Sequence, residues 1–147
     1  MQHVSSAREG ATLAEVQDAL GEVAAKGRVT VSGVRAPDGV FVVEVKAVNP
    51  RACPLSIAVD GPGEGEFSIT LGHAETWFEI WGDWPETLQD LRRHVEAAAA
   101  GKFEEWTRGR MSLGVFHFDS GDVEYRQNLL VRPRLLRRWV HRQYEAY

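Results

Sequence analysis

Residues 67–81 read FSITLGHAETWFEIW, and residues 83–101 read DWPETLQDLRRHVEAAAAG. The first stretch alternates apolar and polar residues on both sides of Gly72, which is the period of two strands joined by a turn. The second stretch spaces its leucines, valine and alanines by three and four residues and ends at Gly101, as an amphipathic helix does. Strands joined by a short turn pair antiparallel, and a helix set apart from them indicates an α+β fold.

The rest of the chain repeats these two periods. A helical period covers residues 13–25, and a last helical run opens at Pro133 and reaches Tyr144. The sequence therefore predicts a single α+β domain over residues 1–147, in which residues 1–10 form a flexible lead-in. We expect a mainly antiparallel sheet of about six to eight strands and three helices, N-terminal, central and C-terminal. The strand-like runs are 29–34, 41–48, 55–59, 67–71, 76–81, 103–106, 111–118 and 123–131.

Two capping boxes mark the expected starts of the first two helices. Thr12 stands three residues before Glu15, and Asp83 stands three residues before Glu86. In such a pair the first side chain accepts a hydrogen bond from a free backbone amide of the first turn. The helix after Asp83 is also expected to cover the second apolar face of the strand at 76–81.

Length and cysteine content limit the class of protein. The chain has 147 residues and one cysteine, Cys53. A domain of this size buries a sufficient core without disulfides, and a lone cysteine forms neither a disulfide framework nor a zinc cluster. Cys53 is expected to be buried and structural, because no feature beside it would activate a thiolate. Since Met1 to Gly10 lacks the apolar core of a signal peptide, the expected location is cytoplasmic, with no membrane partner.

Charge is distributed unevenly along the chain. From Tyr125 to the end, six arginines oppose one glutamate, which gives +5 and leaves −9 on the rest of a chain whose net charge is −4. Arginine pairs with carboxylates and phosphates through parallel hydrogen bonds. The predicted last helix is therefore expected either to dock on the acidic body or to bind nucleic acid or an acidic partner. Its candidate basic patch consists of Arg134, Arg137, Arg138 and Arg142.

A cluster of tryptophans lies in the central segment. Trp77 and Trp81 share one strand face with Glu79, and Trp84 follows at the start of the helix. Exposed tryptophans anchor protein partners, whereas buried ones would pack under a helix. Both placements stay open, and these four residues are the candidate protein-binding site.

No catalytic signature is present. His73 with Glu75 and His117 with Asp119 each place two polar side chains on one strand face, but neither pair reaches the three or four ligands of a usual metal site. The glycine-rich stretch 61–65 lacks phosphate-loop spacing and precedes a strand. The sequence therefore predicts no catalytic residue, no metal and no cofactor.

Segment 67–106 combines an alternating hairpin, a leucine-striped helix and the run Ala-Gly-Lys-Phe-Glu-Glu at 100–105. In this it resembles the immunity proteins of bacterial toxin systems. The resemblance implies a small cytoplasmic, bacterial α+β domain with an acidic, aromatic-rich binding face. The function expected first is thus a non-enzymatic protein-binding module that neutralises a toxin. The alternatives are a nucleic-acid-associated protein that uses the basic patch, and a small-ligand binding protein or enzyme with a pocket between sheet and helix.

Overall fold

The computed structural model describes residues 2–59, 66–109, 111–128 and 138–147. Within these residues the chain forms three helices and nine strands, and none of the helices is long and apolar enough to cross a membrane. The helices are α1 (Gln2–Ala19), α2 (Gly21–Ala25) and α3 (Glu86–Ala99). The strands are β1 (Val29–Arg35), β2 (Phe41–Ala47), β3 (Leu55–Val59), β4 (Phe67–Leu71), β5 (Thr76–Ile80), β6 (Phe103–Arg108), β7 (Met111–Phe118), β8 (Gly121–Asn128) and β9 (Val140–Gln143).

The first sheet is an antiparallel meander in the order β1-β2-β3-β4-β5. Its register places apolar side chains in rows across the strands, because directly opposed residues point to the same face. The central row is Val43, Ile57, Ile69 and Phe78, and all four side chains are buried. This face is the main core of the protein.

Two helices cover that core face. α1 contacts β1, β2, β3 and α3, while α3 contacts β5 and β7. Val16 and Leu20 are buried apolar residues of the first helical segment, and Leu91 and Val95 are buried apolar residues of α3. The spacing of four residues in each pair places both side chains over the sheet, as predicted for an amphipathic stripe.

The second sheet is also antiparallel and has the order β8-β7-β6-β9. Its inner face starts with the buried row Phe103–Phe116, which packs against α3 and β5. Phe78 joins the two sheets: its ring stacks on Tyr125 at 3.9 Å between centroids and meets Phe116 edge-on at 5.9 Å. The predicted α+β class and antiparallel pairing are confirmed, but the strands form two sheets of five and four in place of one.

The predicted C-terminal helix is wrong where the structure describes it. Val140–Gln143 form β9, which pairs antiparallel with β6, while residues 133–137 lie outside the described residues. A lone edge strand leaves backbone donors and acceptors open, and β9 satisfies those of β6. The side chain of Gln143 adds a 2.6 Å hydrogen bond to Glu104 on β6. Long-range pairing therefore outweighs the local helical period here.

The predicted helix starts also need correction. α1 begins at Gln2, so residues 2–10 are helical, and Thr12 lies inside the helix and donates a 2.7 Å hydrogen bond to the carbonyl of Arg8. The hydroxyl therefore bonds within the helix and does not cap it. At α3 the Asp83 side chain makes no capping hydrogen bond, although its carbonyl accepts from Thr87 at 3.1 Å.

The close approach of the two sheets can be tested at Gly114 on β7. A Cβ at this position would lie 2.8 Å from the Phe103 ring and 2.9 Å from the Thr76 methyl group. We expect Gly114→Ala to lower the free energy of unfolding by about 1–3 kcal/mol, because neither neighbour has space to move. Gly10→Ala is the control: it meets open space in α1 and should raise stability by about 0.5–1 kcal/mol. Urea denaturation measures the free energy of unfolding of both variants. A value for Gly114→Ala equal to that of the wild type would contradict this close packing.

Candidate functional site

The predicted protein-binding residues lie on and just after β5, an edge strand of the first sheet. The side chains of Trp77 and Trp81 are 45% and 58% exposed. Glu79 and Trp84 are half-buried. Trp84 packs at 6.3 Å from the Phe67 ring, and the guanidinium of Arg8 lies 5.6 Å above it. The structure therefore presents two tryptophans to solvent and uses the third mainly for packing.

The prediction that α3 covers the Trp77 face of β5 is wrong. α3 packs on the opposite face, where His94 lies 5.1 Å from Phe78 between ring centroids. The reason is that Phe78 and Ile80 belong to the buried apolar rows of the sheet, and the apolar stripe of α3 packs against those rows. Trp77 faces outward in a row with half-buried Thr70 and Ser56.

We call residues 75–86 the acidic tryptophan segment. It contains three tryptophans, four carboxylates and no basic residue. Glu75, Asp83 and Glu86 are exposed. Glu79 Oε1 is shielded from solvent and has no hydrogen-bond partner among the described residues. The segment thus joins exposed aromatic area to exposed carboxylates.

The structure describes only half of the predicted basic patch. Arg138 and Arg142 are exposed, and Arg142 belongs to β9. Arg134 and Arg137 lie outside the described residues, so a patch of four arginines stays a prediction. Because 140–143 form a strand, Arg138 and Arg142 do not share a helix face.

Neither predicted histidine pair forms a unit. His73 and Glu75 are both exposed in the turn between β4 and β5. His117 bonds instead to Glu104 and Asp122, each at 2.8 Å, while Asp119 lies 3.6 Å from Lys102. Among the described residues no group of three or more histidine, cysteine or acidic side chains is arranged to hold a metal ion.

A cleft of about 510 Å³ opens over the inner face of the second sheet. Its floor comes from β6 and β7, its sides from β8 and β9, and its rim from the turn that carries His73. We call it the second-sheet cleft. The residues that line it are His73, Ala74, Glu105, Thr107, Gly109, Met111, Ser112, Gln127, Val140 and Arg142.

Glu105 lies at the base of this cleft and is 2% exposed. Its Oε1 accepts hydrogen bonds from the Tyr144 hydroxyl and, at 3.2 Å, from the Ala74 amide. Its Oε2 accepts from the Thr76 hydroxyl at 3.2 Å. A Cβ at Gly72 would collide with the same carboxylate, and the φ of +81° at Gly72 also favours glycine. The buried charge is therefore enclosed by donors from three segments of the chain.

This network is built for binding or stability and not for nucleophilic chemistry. Burial, followed by the hydrogen bond to Glu105, raises the pKa of the Tyr144 hydroxyl, so it stays protonated as a donor. Burial also raises the pKa of the Cys53 thiol, which is fully buried, as the sequence predicts. A protonated thiol is a poor nucleophile.

Sequence reasoning missed Glu105 and Tyr144. The strand period did contain a signal for Glu105, because this residue shares the inner face of β6 with Phe103 and Thr107. Nothing local indicates that Tyr144 reaches it, since the two residues are 39 positions apart.

A second buried polar pair links α3 to the second sheet. His94 is 2% exposed; its Nδ1 donates to the Asp90 carbonyl at 2.7 Å, and its Nε2 accepts from the Tyr125 hydroxyl at 2.7 Å. Burial lowers the pKa of His94, which favours the neutral ring that this arrangement requires. The pair is surrounded by Phe78, Phe116 and Phe118, so its role is in the core.

Comparison with known proteins adds no assignment: no protein-family model matches the chain, and no curated protein or solved structure is significantly similar to it.

The Glu105 network can be tested at Tyr144. Tyr144→Phe removes the hydroxyl that donates to the buried Glu105 carboxyl group and accepts from the His73 amide at 2.6 Å, and it should lower the free energy of unfolding by about 1.5–3 kcal/mol. Tyr147→Phe is the matched control, because the Tyr147 hydroxyl donates at 2.7 Å to a neutral carbonyl, that of Cys53. Its expected cost is about 0.5–1.5 kcal/mol. Urea denaturation compares the two variants, and an equal or smaller loss of unfolding free energy in Tyr144→Phe would contradict this hydrogen-bond network.

The two histidines predict opposite pH effects. Burial lowers the pKa of His94 in the folded protein. Below about pH 6.5 the unfolded chain therefore binds more protons at this residue than the folded protein does, so stability falls as the pH falls. The hydrogen bond to Glu104 and then that to Asp122 raise the pKa of His117, so its contribution is present in acid and is lost as the pH rises through that raised pKa. His94→Gln should therefore weaken the acid-induced loss of stability. His117→Gln should cost more at about pH 5 than at about pH 8.

Denaturant titrations monitored by circular dichroism at both pH values test this pair. If both substitutions change the pH dependence of the free energy of unfolding in the same direction, the environment described for His94 or for His117 is wrong.

Proposed function

We propose that this protein is a binding module that recognises a partner protein with a basic surface through the acidic tryptophan segment. The observation that carries the proposal is the exposure of Trp77 and Trp81 beside four carboxylates without a basic residue among them.

Tryptophan is the side chain that contributes most often to the energy of protein interfaces. A large ring buries about 150–250 Å² on binding, and interface hot spots are enriched in tryptophan. Trp77 and Trp81 are four residues apart, which corresponds to about 13 Å along an extended strand. Two anchors at this separation fit one interface of standard size.

The charge of the segment selects the partner. Glu75, Asp83 and Glu86 are exposed around the tryptophans, where side chains of a partner can reach them. Lysine and arginine side chains of a partner would neutralise this charge and accelerate association at low salt. The same charge would repel phosphates, which favours a protein over a nucleic acid at this surface.

In its most specific form the partner is a bacterial toxin. This form rests on the resemblance of segment 67–106 to immunity proteins. If the toxin is an enzyme with a basic active-site groove, a preformed acidic and aromatic surface would block that groove. The nucleic-acid alternative would use the arginines of the predicted basic patch, a different surface.

The experiment is a comparison of variants in a pull-down from lysate of the source organism, quantified by mass spectrometry. The test variant carries Trp77→Ala and Trp81→Ala. Trp139→Ala is the matched control, because Trp139 is 45% exposed but lies next to β9 in the second sheet. A true partner should be retained by the wild type and the control and should bind the test variant at least about tenfold more weakly.

Both proteins should melt within a few degrees of the wild type, because exposed side chains contribute little to stability. Retention that also falls with added salt supports the acidic segment. A partner retained equally by the test variant contradicts the proposal. Nucleic acid that salt removes from all three proteins would instead favour the basic alternative.

A further inference from the structure

The second-sheet cleft lies apart from the acidic tryptophan segment, and its chemistry is different. Its one carboxylate, Glu105, already accepts three hydrogen bonds. The other polar side chains that line it, apart from the exposed His73 ring, are those of Thr107, Ser112, Gln127 and Arg142. Ser112 Oγ already donates to Gln127 Oε1 at 3.3 Å, and Gln127 Nε2 donates to the Trp77 carbonyl at 3.0 Å. From the described residues the cleft therefore offers a molecule inside it chiefly the Thr107 hydroxyl and the cation of Arg142.

Arg142 is the group that gives the cleft its selectivity. It stands opposite Glu105 in the β6–β9 ladder, yet the carboxylate bonds to Tyr144, Ala74 and Thr76 instead. Within the described residues, the side chain of Arg142 forms no ion pair or hydrogen bond, and it is exposed. A free guanidinium matches the planar pair of oxygens of a carboxylate or the oxygens of a phosphate.

The cleft also has an apolar side. Met111 is half-buried, and Val140 is 59% exposed at the wall formed by β9. The volume of about 510 Å³ falls in the range of sites that hold small molecules. A bare inorganic ion would leave most of this space and both apolar side chains unused.

We propose that the second-sheet cleft binds a small organic anion, with its carboxylate or phosphate on Arg142 and its apolar body against Met111 and Val140. The hydroxyl of Thr107 on the floor supplies a further donor. The negative charge of Glu105 limits the affinity, so the complex is a weak, reversible one with a Kd of about 5 mM or tighter for a fragment-sized ligand. This site is independent of the proposed protein-binding function.

The test uses three probes of one shape: benzoate, phenyl phosphate and the neutral benzamide. Each is titrated into the full chain at constant ionic strength, and binding is followed by chemical-shift changes in two-dimensional NMR. We expect saturable binding of at least one of the two anions, with shifts at Met111, Ser112 and Val140, and at least tenfold weaker binding of benzamide. The stronger of the two anions identifies whether carboxylates or phosphate esters are the natural class.

Three variants test the assignment to Arg142. Arg142→Gln should weaken anion binding at least tenfold, and Arg142→Lys should weaken it less while keeping the charge. Arg126→Gln is the control, because Arg126 points to the outer face of the same sheet and pairs with Glu124 at 3.0 Å. Circular dichroism establishes that all three are folded.

Three results would overturn the proposal: no saturation with either anion, equal binding of benzamide, or equal losses in the Arg142 and Arg126 variants. Because neither Trp77 nor Trp81 lines the cleft, failure here leaves the protein-binding proposal unaffected.

Discussion

The hydrogen bonds to the buried Glu105 carboxylate connect four separate parts of the chain at one point. They join the turn after β4, the first residue of β5, strand β6 and the segment after β9. A buried carboxylate is stable only while its donors stay in place, since each lost donor leaves charge without compensation. Together with the hydrogen bond from Gln127 to the Trp77 carbonyl, this residue therefore helps to fix the position of the second sheet against the edge of the first. Apolar packing around Phe78 adds area to the same junction but less direction.

The same junction separates two surfaces of opposite character. Trp77 of the acidic tryptophan segment lies on the outer face of the first sheet, while the second-sheet cleft opens on the inner face of the second sheet. The Gln127 side chain spans the boundary, because it lines the cleft and donates a 3.0 Å hydrogen bond to the Trp77 carbonyl. A molecule in the cleft and a protein on the tryptophans would thus contact neighbouring parts of one hydrogen-bonded unit.

Much of the fold follows from local period. The strands at 41–47, 55–59 and 67–71 alternate cleanly because one face of a meander is buried, and α3 carries a full apolar stripe. The segment after Arg138 misleads because Trp139, Val140 and Tyr144 fit a helical stripe, while Val140 and Tyr144 also fit a strand period. Only the open edge of β6, which local sequence does not reveal, decides between them. Division into two sheets is likewise a long-range property.

The candidate site divides in the same way. The tryptophans and carboxylates of residues 75–86 are visible as composition, but their exposure depends on which face of β5 the helix α3 covers. Glu105 is visible as a polar residue on an apolar strand face, while its donors come from distant positions. Sequence can thus identify the chemical groups, but their partners depend on tertiary contacts.

Cys53 gives the protein an internal reporter. The thiol is fully buried, burial raises its pKa, and the Cys53 carbonyl accepts the 2.7 Å hydrogen bond from Tyr147. A thiol reagent can reach it only when the structure around it opens, either locally or by global unfolding. The rate at which this single cysteine is alkylated therefore measures how often this part of the core opens, without any introduced label.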